Sequence, residues 1–145
     1  MFFKINIKSN MYDAGDVSDI FRKQPLFERQ NMAKKIMNQS SDLIPVILVR
    51  QKNENCPRLL EYKFLVRKNT TWIHFVKMIQ NNYIDHSNVH STQSLHFMIG
   101  KVYPQPTMTF NQLYEIYADQ DEFLYMSYSV QDTFGQKLKN LKFKL

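Results

Sequence analysis

Two segments of the chain are apolar at successive positions rather than at alternate ones. They read IPVILV over residues 44–49 and FLYMSY over residues 123–128. Unbroken apolar runs of this length are typical of strands that are covered on both faces of a sheet. Segments 59–68 and 94–100 also predict strands. The turn-forming residues 53–58 predict a hairpin between the first strand and segment 59–68.

One strong helix and one short helix are predicted between these strands. Apolar residues of the strong helix recur at helical spacing, at Trp72, Phe75, Val76, Met78 and Ile79. Asn69 or Thr70 is positioned to cap its start. The short helix is predicted over residues 109–118, opened by Thr109. The order hairpin, helix, strand, short helix, strand predicts that one helix covers one face of a small mixed sheet.

The segment 16–42 predicts two further short helices near the start of the chain. Ser18 or Asp19 is positioned to cap the first of them, and Pro25 limits it. Because a sheet with two-sided burial needs a second covering layer, these helices are the expected cover for its other face.

Composition indicates one folded domain without disulfide or metal chemistry. The chain has 145 residues, of which 43% are hydrophobic and 14% aromatic, which is enough for a core. The single cysteine, Cys56, excludes an internal disulfide and a cysteine-based zinc finger, and it suits a reducing cytosol. His86 and His90 lie four positions apart, but no third ligand accompanies them in their Ser/Asn-rich loop, so no metal site is expected.

The two ends of the chain differ from its centre. Residues 1–20 predict a poorly ordered arm, with a transient strand at its apolar positions Phe3, Ile5 and Ile7. Residues 136–145 contain four lysines and no acidic residue, so four of the six net positive charges lie there and +2 remains for residues 1–135. That remainder is too small for the clustered cationic face of a nucleic-acid-binding protein, and none is expected as a partner.

Four stretches of the sequence, taken together and in order, resemble a known family. They are FRKQPLFERQ (21–30), IPVILV (44–49), YKFLVRKNTTWIHFVKMI (62–79) and LYEIYADQDEFLYMSYSVQDTFG (113–135). They are similar to the autophagy-related ubiquitin-like modifiers of the GABARAP and light-chain-3 type. The resemblance implies an α+β fold, a ubiquitin-like β-grasp with a four-stranded mixed sheet, a central helix, a short helix and two additional N-terminal helices.

The same resemblance implies a division of the chain. Residues 21–135 would form the ubiquitin-like domain including its N-terminal helices, residues 1–20 a flexible arm, and residues 136–145 an extension removed by proteolysis. The family is not enzymatic. Its members are cytoplasmic until they become peripheral on autophagic or related membranes, and we expect a monomer without a metal or a soluble cofactor.

The resemblance also implies processing at the end of the domain. A cysteine protease would cut between Gly135 and Gln136, beside Phe134. Activating and conjugating enzymes would then join the Gly135 carboxylate to phosphatidylethanolamine. Glycine suits this role because it has no Cβ to obstruct a narrow active-site tunnel. The lipid supplies the two acyl chains that stable anchoring requires.

The second implied activity is the binding of aromatic-x-x-aliphatic motifs in receptor and adaptor proteins. In the family such a peptide adds as a strand to the sheet edge, here the KFLV segment, and two pockets take its side chains. The positions matching the aromatic pocket are Ile36, Pro45, Ile47, Lys63, Leu65 and Phe123. The positions matching the aliphatic pocket are Phe64, Val66, Phe75 and Met78.

Several positions depart from the family pattern. Leu43 stands where an arginine is usual, and Glu61 replaces a lysine of the docking strand. Met32 or Ala33 replaces an acidic residue of the second helix, and Arg67 stands where a proline is common. These changes alter the charge around the peptide site while leaving its apolar positions in place.

Two alternatives remain open from the sequence. The position of Gly135, considered alone, favours a glycine that ends a strand before a solvated tail, and the motifs before it favour a processing site. A ubiquitin-fold adaptor that binds peptide motifs but is never conjugated would also carry the same pockets. The two functions differ in whether Gly135 is needed.

Overall fold

The computed structural model describes residues 3–4, 14–51, 56–87 and 93–132. In these ranges it contains a five-stranded sheet and four helices. The elements in chain order are β1 Phe3–Lys4, α1 Ala14–Arg22, α2 Leu26–Gln39, β2 Leu43–Arg50, β3 Lys63–Arg67, α3 Trp72–Asn82, β4 Gln93–Met98, α4 Phe110–Tyr117 and β5 Leu124–Asp132. None of the described helices is long and apolar enough to cross a membrane.

The sheet has the strand order β1-β3-β2-β5-β4. β2 and β3 form the predicted antiparallel hairpin, β2 pairs with β5 in parallel, and β4 pairs with β5 antiparallel. The last strand of the domain therefore lies beside the first strand of the hairpin, in the interior of a mixed sheet. This arrangement confirms the α+β prediction, and the two-residue β1 adds a fifth strand at the outer edge of β3.

Both faces of the sheet are covered, as the unbroken apolar runs predict. Ile44–Leu48 of β2 are buried at every position. On one face the ring of Phe64 meets the ring of Phe75 from α3 edge-on, with 5.5 Å between centroids. On the other face Phe21 of α1 packs edge-on against Phe123 at 5.1 Å. The N-terminal helices therefore form the second covering layer.

Two predicted helix starts are wrong. α1 begins at Ala14, so Ser18 and Asp19 lie inside the helix instead of capping it. Thr71, rather than Asn69 or Thr70, caps α3, because its side chain accepts a hydrogen bond from His74 N. Three consecutive residues can serve as caps in this segment, and tertiary contacts select the last of them.

The predicted start of the short helix is confirmed. Thr109 caps α4 in a capping box, in which the Thr109 hydroxyl accepts from Gln112 N and the Gln112 side chain accepts from Thr109 N. The strand predicted at Phe3 is present as β1, whereas Ile5 and Ile7 lie outside the described residues.

Candidate peptide-binding site

Backbone groups of β3 point alternately toward β2 and toward the outer edge of the sheet. Leu48 N–H donates to Tyr62 C=O at 2.8 Å, and Lys68 N–H donates to Asp42 C=O at 3.0 Å. In an antiparallel pair, hydrogen-bonded and non-hydrogen-bonded positions alternate. The N–H and C=O of Leu65 therefore point away from β2, toward the edge where β1 pairs.

The hairpin register places four residues of the predicted aromatic pocket on one face. Pro45 lies opposite Leu65, and Ile47 lies opposite Lys63. Residues directly opposite each other in a pair share a face of the sheet, and positions two apart do as well. These four side chains therefore form one block on the face covered by α1 and α2. Leu65 is the half-buried member, and the other three are buried.

The remaining two residues of this set come from other elements. Ile36 of α2 is half-buried and packs against the core. Phe123, at the start of β5, is fully buried, and Phe21 of α1 covers it. α1 thus supplies an aromatic side chain to the pocket that the sequence did not indicate.

Lys63 is buried beneath α1 in apolar surroundings. Its Nζ lies 4.2 Å from the ring centroid of Phe21 and 5.5 Å from that of Tyr62, and it donates to Met32 Sδ at 3.6 Å. Burial lowers the pKa of Lys63 to about 8. The described contacts of the ammonium group are thus two aromatic faces and a thioether.

The predicted aliphatic pocket forms part of the core in this structure. Phe64, Val66 and Phe75 are each at most 1% exposed. Phe64 and Val66 occupy the face of β3 opposite that of Leu65, under α3. Met78 of α3 is half-buried, so it is the member of this set with accessible surface.

An open cavity of about 340 Å³ lies beside Leu65. Its walls are Ser40, Asp42, Leu43, Leu65 and Arg67. Arg67 pairs with Asp42 at its rim, with 3.5 Å between Nη1 and Oδ2. Of these five residues, the family resemblance assigned only Leu65 to a pocket. The pairing register of the hairpin could have identified two more wall residues, Leu43 and Arg67. They lie opposite each other, and Arg67 is two positions from Leu65, so all three share a face of the sheet.

A buried ion pair fixes α2 over this face. Arg29 Nη1 lies 2.6 Å from Asp121 Oδ2, and the Tyr125 hydroxyl donates to the same oxygen. Asp121 Oδ1 accepts a hydrogen bond from Phe123 N at 2.9 Å, which links the ion pair to a residue of the predicted aromatic pocket. Burial and the hydrogen bond to Asp121 raise the pKa of Tyr125. No pattern in the sequence indicates this contact, because Arg29 and Asp121 are far apart in the chain.

A family model described as "Autophagy protein Atg8 ubiquitin like" matches residues 28–135 of this chain. The chain belongs to the Atg8 family. It is therefore an autophagy-related ubiquitin-like protein, which confirms the family indicated by the sequence motifs.

Relatives and solved structures agree with this assignment. The chain is 30% identical over 122 residues to autophagy-related protein 8 of Dictyostelium discoideum, covering 84% of this chain and 98% of the relative. It is 29% identical over 119 residues to autophagy-related protein 8d of Arabidopsis thaliana, covering 82% and 96%.

The structural neighbours confirm the ubiquitin-like fold with N-terminal helices. The ATG8 crystal structure from Trypanosoma brucei is similar with a TM-score of 0.65 and 26% identity, covering 79% of this chain and 95% of that chain. Plasmodium falciparum Atg8, solved with an Atg3 peptide, is similar in fold with a TM-score of 0.62 and 24% identity, covering 76% and 94%.

The predicted processing residues lie beyond the described part of this Atg8 protein. β5 is described as far as Asp132, and Phe134, Gly135 and Gln136 follow it in the sequence. The family match ends at Gly135. Among the described residues no group of three or more His, Cys, Asp or Glu side chains could hold a metal ion, and His90 lies outside them.

Proposed function

We propose that this Atg8 protein binds aromatic-x-x-aliphatic peptide motifs at the outer edge of β3. The observation that carries the proposal is the position of Leu65. Its backbone N–H and C=O point to the sheet edge, and its half-buried side chain lines the adjacent open cavity. A peptide strand at this edge would gain backbone hydrogen bonds from Leu65 and a place for one apolar side chain.

The described surroundings favour an apolar peptide side chain at this cavity. Leu43 and Leu65 supply apolar walls, and Ser40 lies at the end of α2. Arg67 is paired with Asp42 across 3.5 Å, and the two side chains are 42% and 61% exposed, so solvent screens their charges. We therefore propose that apolar burial contributes most of the affinity and that charged flanking residues contribute less.

Titration of the full chain with a synthetic aromatic-x-x-aliphatic peptide tests this binding mode. Leu65→Ala removes part of the cavity wall, and we expect the dissociation constant to rise about tenfold. Ile116→Ala is the control, because Ile116 is exposed on α4, away from this edge. Phe64→Ala is a poor probe, since truncating a core phenylalanine destabilises the fold by about 3–5 kcal/mol. Equal affinity of the Leu65 variant and wild type would contradict the proposed site.

We also propose that the protein is a conjugated modifier rather than an enzyme. In this proposal a cysteine protease removes residues 136–145, and the exposed Gly135 carboxylate is activated and joined as an amide to phosphatidylethanolamine. The end of the family match at Gly135 supports this point of cleavage. The protein would then be cytoplasmic before conjugation and peripheral on autophagic or related membranes afterwards.

Mass spectrometry of the cellular protein tests the processing step. We expect a mature form that ends at Gly135 and a lipidated form derived from it. Gly135→Ala should abolish the lipidated form, while the control Gln136→Ala, on the discarded side of the bond, should leave it in place. If every form ends at Leu145, the protein is instead an adaptor that binds peptides without conjugation.

The proposed partners follow from these two activities. They are a processing protease, the activating and conjugating enzymes, and receptors or adaptors that carry the motif. The Plasmodium protein of the same fold was solved with an Atg3 peptide. A peptide from an Atg3-type protein is therefore a suitable second ligand for the titration.

A further inference from the structure

The proposed docking edge already carries a strand of the same chain. β1 pairs antiparallel with β3, with Phe3 opposite Leu65 and Lys4 opposite Phe64. Phe64 directs its backbone groups to β2, whereas Leu65 directs its N–H and C=O outward. The pair Phe3–Leu65 is therefore the hydrogen-bonded one, and β1 uses the backbone groups that a peptide would need.

The sequence around β1 has the pattern that we propose for the ligand. Residues 2–5 read Phe-Phe-Lys-Ile, an aromatic residue and an aliphatic residue separated by two others. The two central residues, Phe3 and Lys4, are the ones that form β1. The two central residues of an aromatic-x-x-aliphatic segment of the same chain therefore lie along the edge of β3.

We propose that this N-terminal segment is an intramolecular competitor for the peptide site, an inference that rests on the proposed peptide binding. The described pairing of β1 with β3 covers two residues, and a pairing of that length is weak enough to be displaced. The attachment of β1 to the same chain keeps it at a high effective concentration. The apparent affinity for a receptor is then reduced by the fraction of molecules in which β1 occupies the edge.

Proline substitutions at the two positions of β1 give a matched pair of variants. Phe3→Pro removes the N–H that faces Leu65 and so releases the edge. Lys4→Pro removes an N–H that points away from β3, a position where an edge strand accepts proline. Proline at position 4 also holds residue 3 in the extended conformation that β1 needs.

Peptide titration of the full-length wild type and both variants tests the competition. We expect Phe3→Pro to bind about fivefold more tightly, the population change that corresponds to one net backbone hydrogen bond, and Lys4→Pro to match the wild type. Hydrogen exchange of the Leu65 amide in the free protein should accelerate only in Phe3→Pro. Equal affinities in all three proteins would overturn the competition alone. Absence of peptide binding by all three would overturn the proposed function, and the competition with it.

Discussion

Lys63 is a charged residue whose surroundings suit an apolar one. It is 5% exposed, and its ammonium group is in contact with Phe21, Tyr62 and Met32. The family resemblance assigned Lys63 to the aromatic pocket, and the hairpin register places it opposite Ile47 on the face beneath the helices. The sequence could not show that Phe21 covers the lysine, because α1 reaches this position only through tertiary packing.

We predict that Lys63→Met stabilises the protein at pH 7 by about 2 kcal/mol. Burial lowers the Lys63 pKa from its ordinary value of 10.5 to about 8, so keeping the charge in the folded state opposes folding, and cation–π attraction offsets only part of this effect. Below pH 8 the buried charge of Lys63 destabilises the folded state to its full extent. This destabilisation disappears as the pH rises to 10.5, because only the unfolded chain binds the proton in that interval.

Urea unfolding between pH 7 and 10.5 checks the prediction for Lys63. The wild type should gain stability relative to Lys63→Met as the pH rises, and comparing the two removes the common contributions of the neighbouring Glu61 and Tyr62. Lys77→Met is the control, since Lys77 is exposed on α3 and its replacement should change stability by less than about 0.5 kcal/mol. If the difference in unfolding free energy between wild type and Lys63→Met stays constant over this pH range, the pKa of Lys63 is not lowered by burial.

At the scale of elements, a buried ion pair contributes to the docking of α2 alongside its apolar packing. The side chains of Arg29 and Asp121 are 12% and 0% exposed. We predict that Arg29→Met destabilises the protein by about 2–4 kcal/mol, because Asp121 stays buried without its cation while the Tyr125 hydroxyl still donates to it. Urea unfolding midpoints of the variant and wild type measure this difference.

Arg22 provides the matched control for that measurement. It pairs with Asp119 at 3.2 Å, but the two side chains are 52% and 27% exposed. The Arg22 guanidinium also lies 4.2 Å from the ring centroid of Tyr125. An exposed ion pair and an exposed cation–π contact each contribute about 0–1 kcal/mol, so Arg22→Met should cost less than Arg29→Met. Equal losses in the two variants would contradict the assignment of the Arg29 effect to the burial of its ion pair.

Helix boundaries were less predictable than the strands for a physical reason. Gly15 and the polar residues around it favour a loop by local propensity, yet α1 extends through them. Phe21 anchors this helix to Phe123, and such packing outweighs weak local preferences. The strands were predicted well because continuous apolar runs have few alternatives to burial on both faces.

For the whole molecule, the sequence predicted how the helices cover the sheet, but it did not predict which residues of the candidate site are buried in the core. The hairpin, the central helix and the two N-terminal helices follow from periodicity and from the family motifs. The complete burial of Phe64, Val66 and Phe75 does not, because an apolar strand residue looks the same whether it lines a pocket or fills a core. The cavity beside Leu65 depends on where α2 ends relative to β3, which is a matter of three-dimensional packing.

The strand order also determines how the molecule would carry mechanical load. In the proposed membrane-bound form, a receptor is held at β3 and the lipid anchor follows β5, with β2 between them. Tension between cargo and membrane therefore passes through β2. The hydrogen bonds of β2 to β3 lie perpendicular to the strands and those to β5 are slanted, but both sets run between strands, so a pull along the strands shears several of them together. In that proposed form the domain would act as a tension-bearing link between the receptor and the membrane.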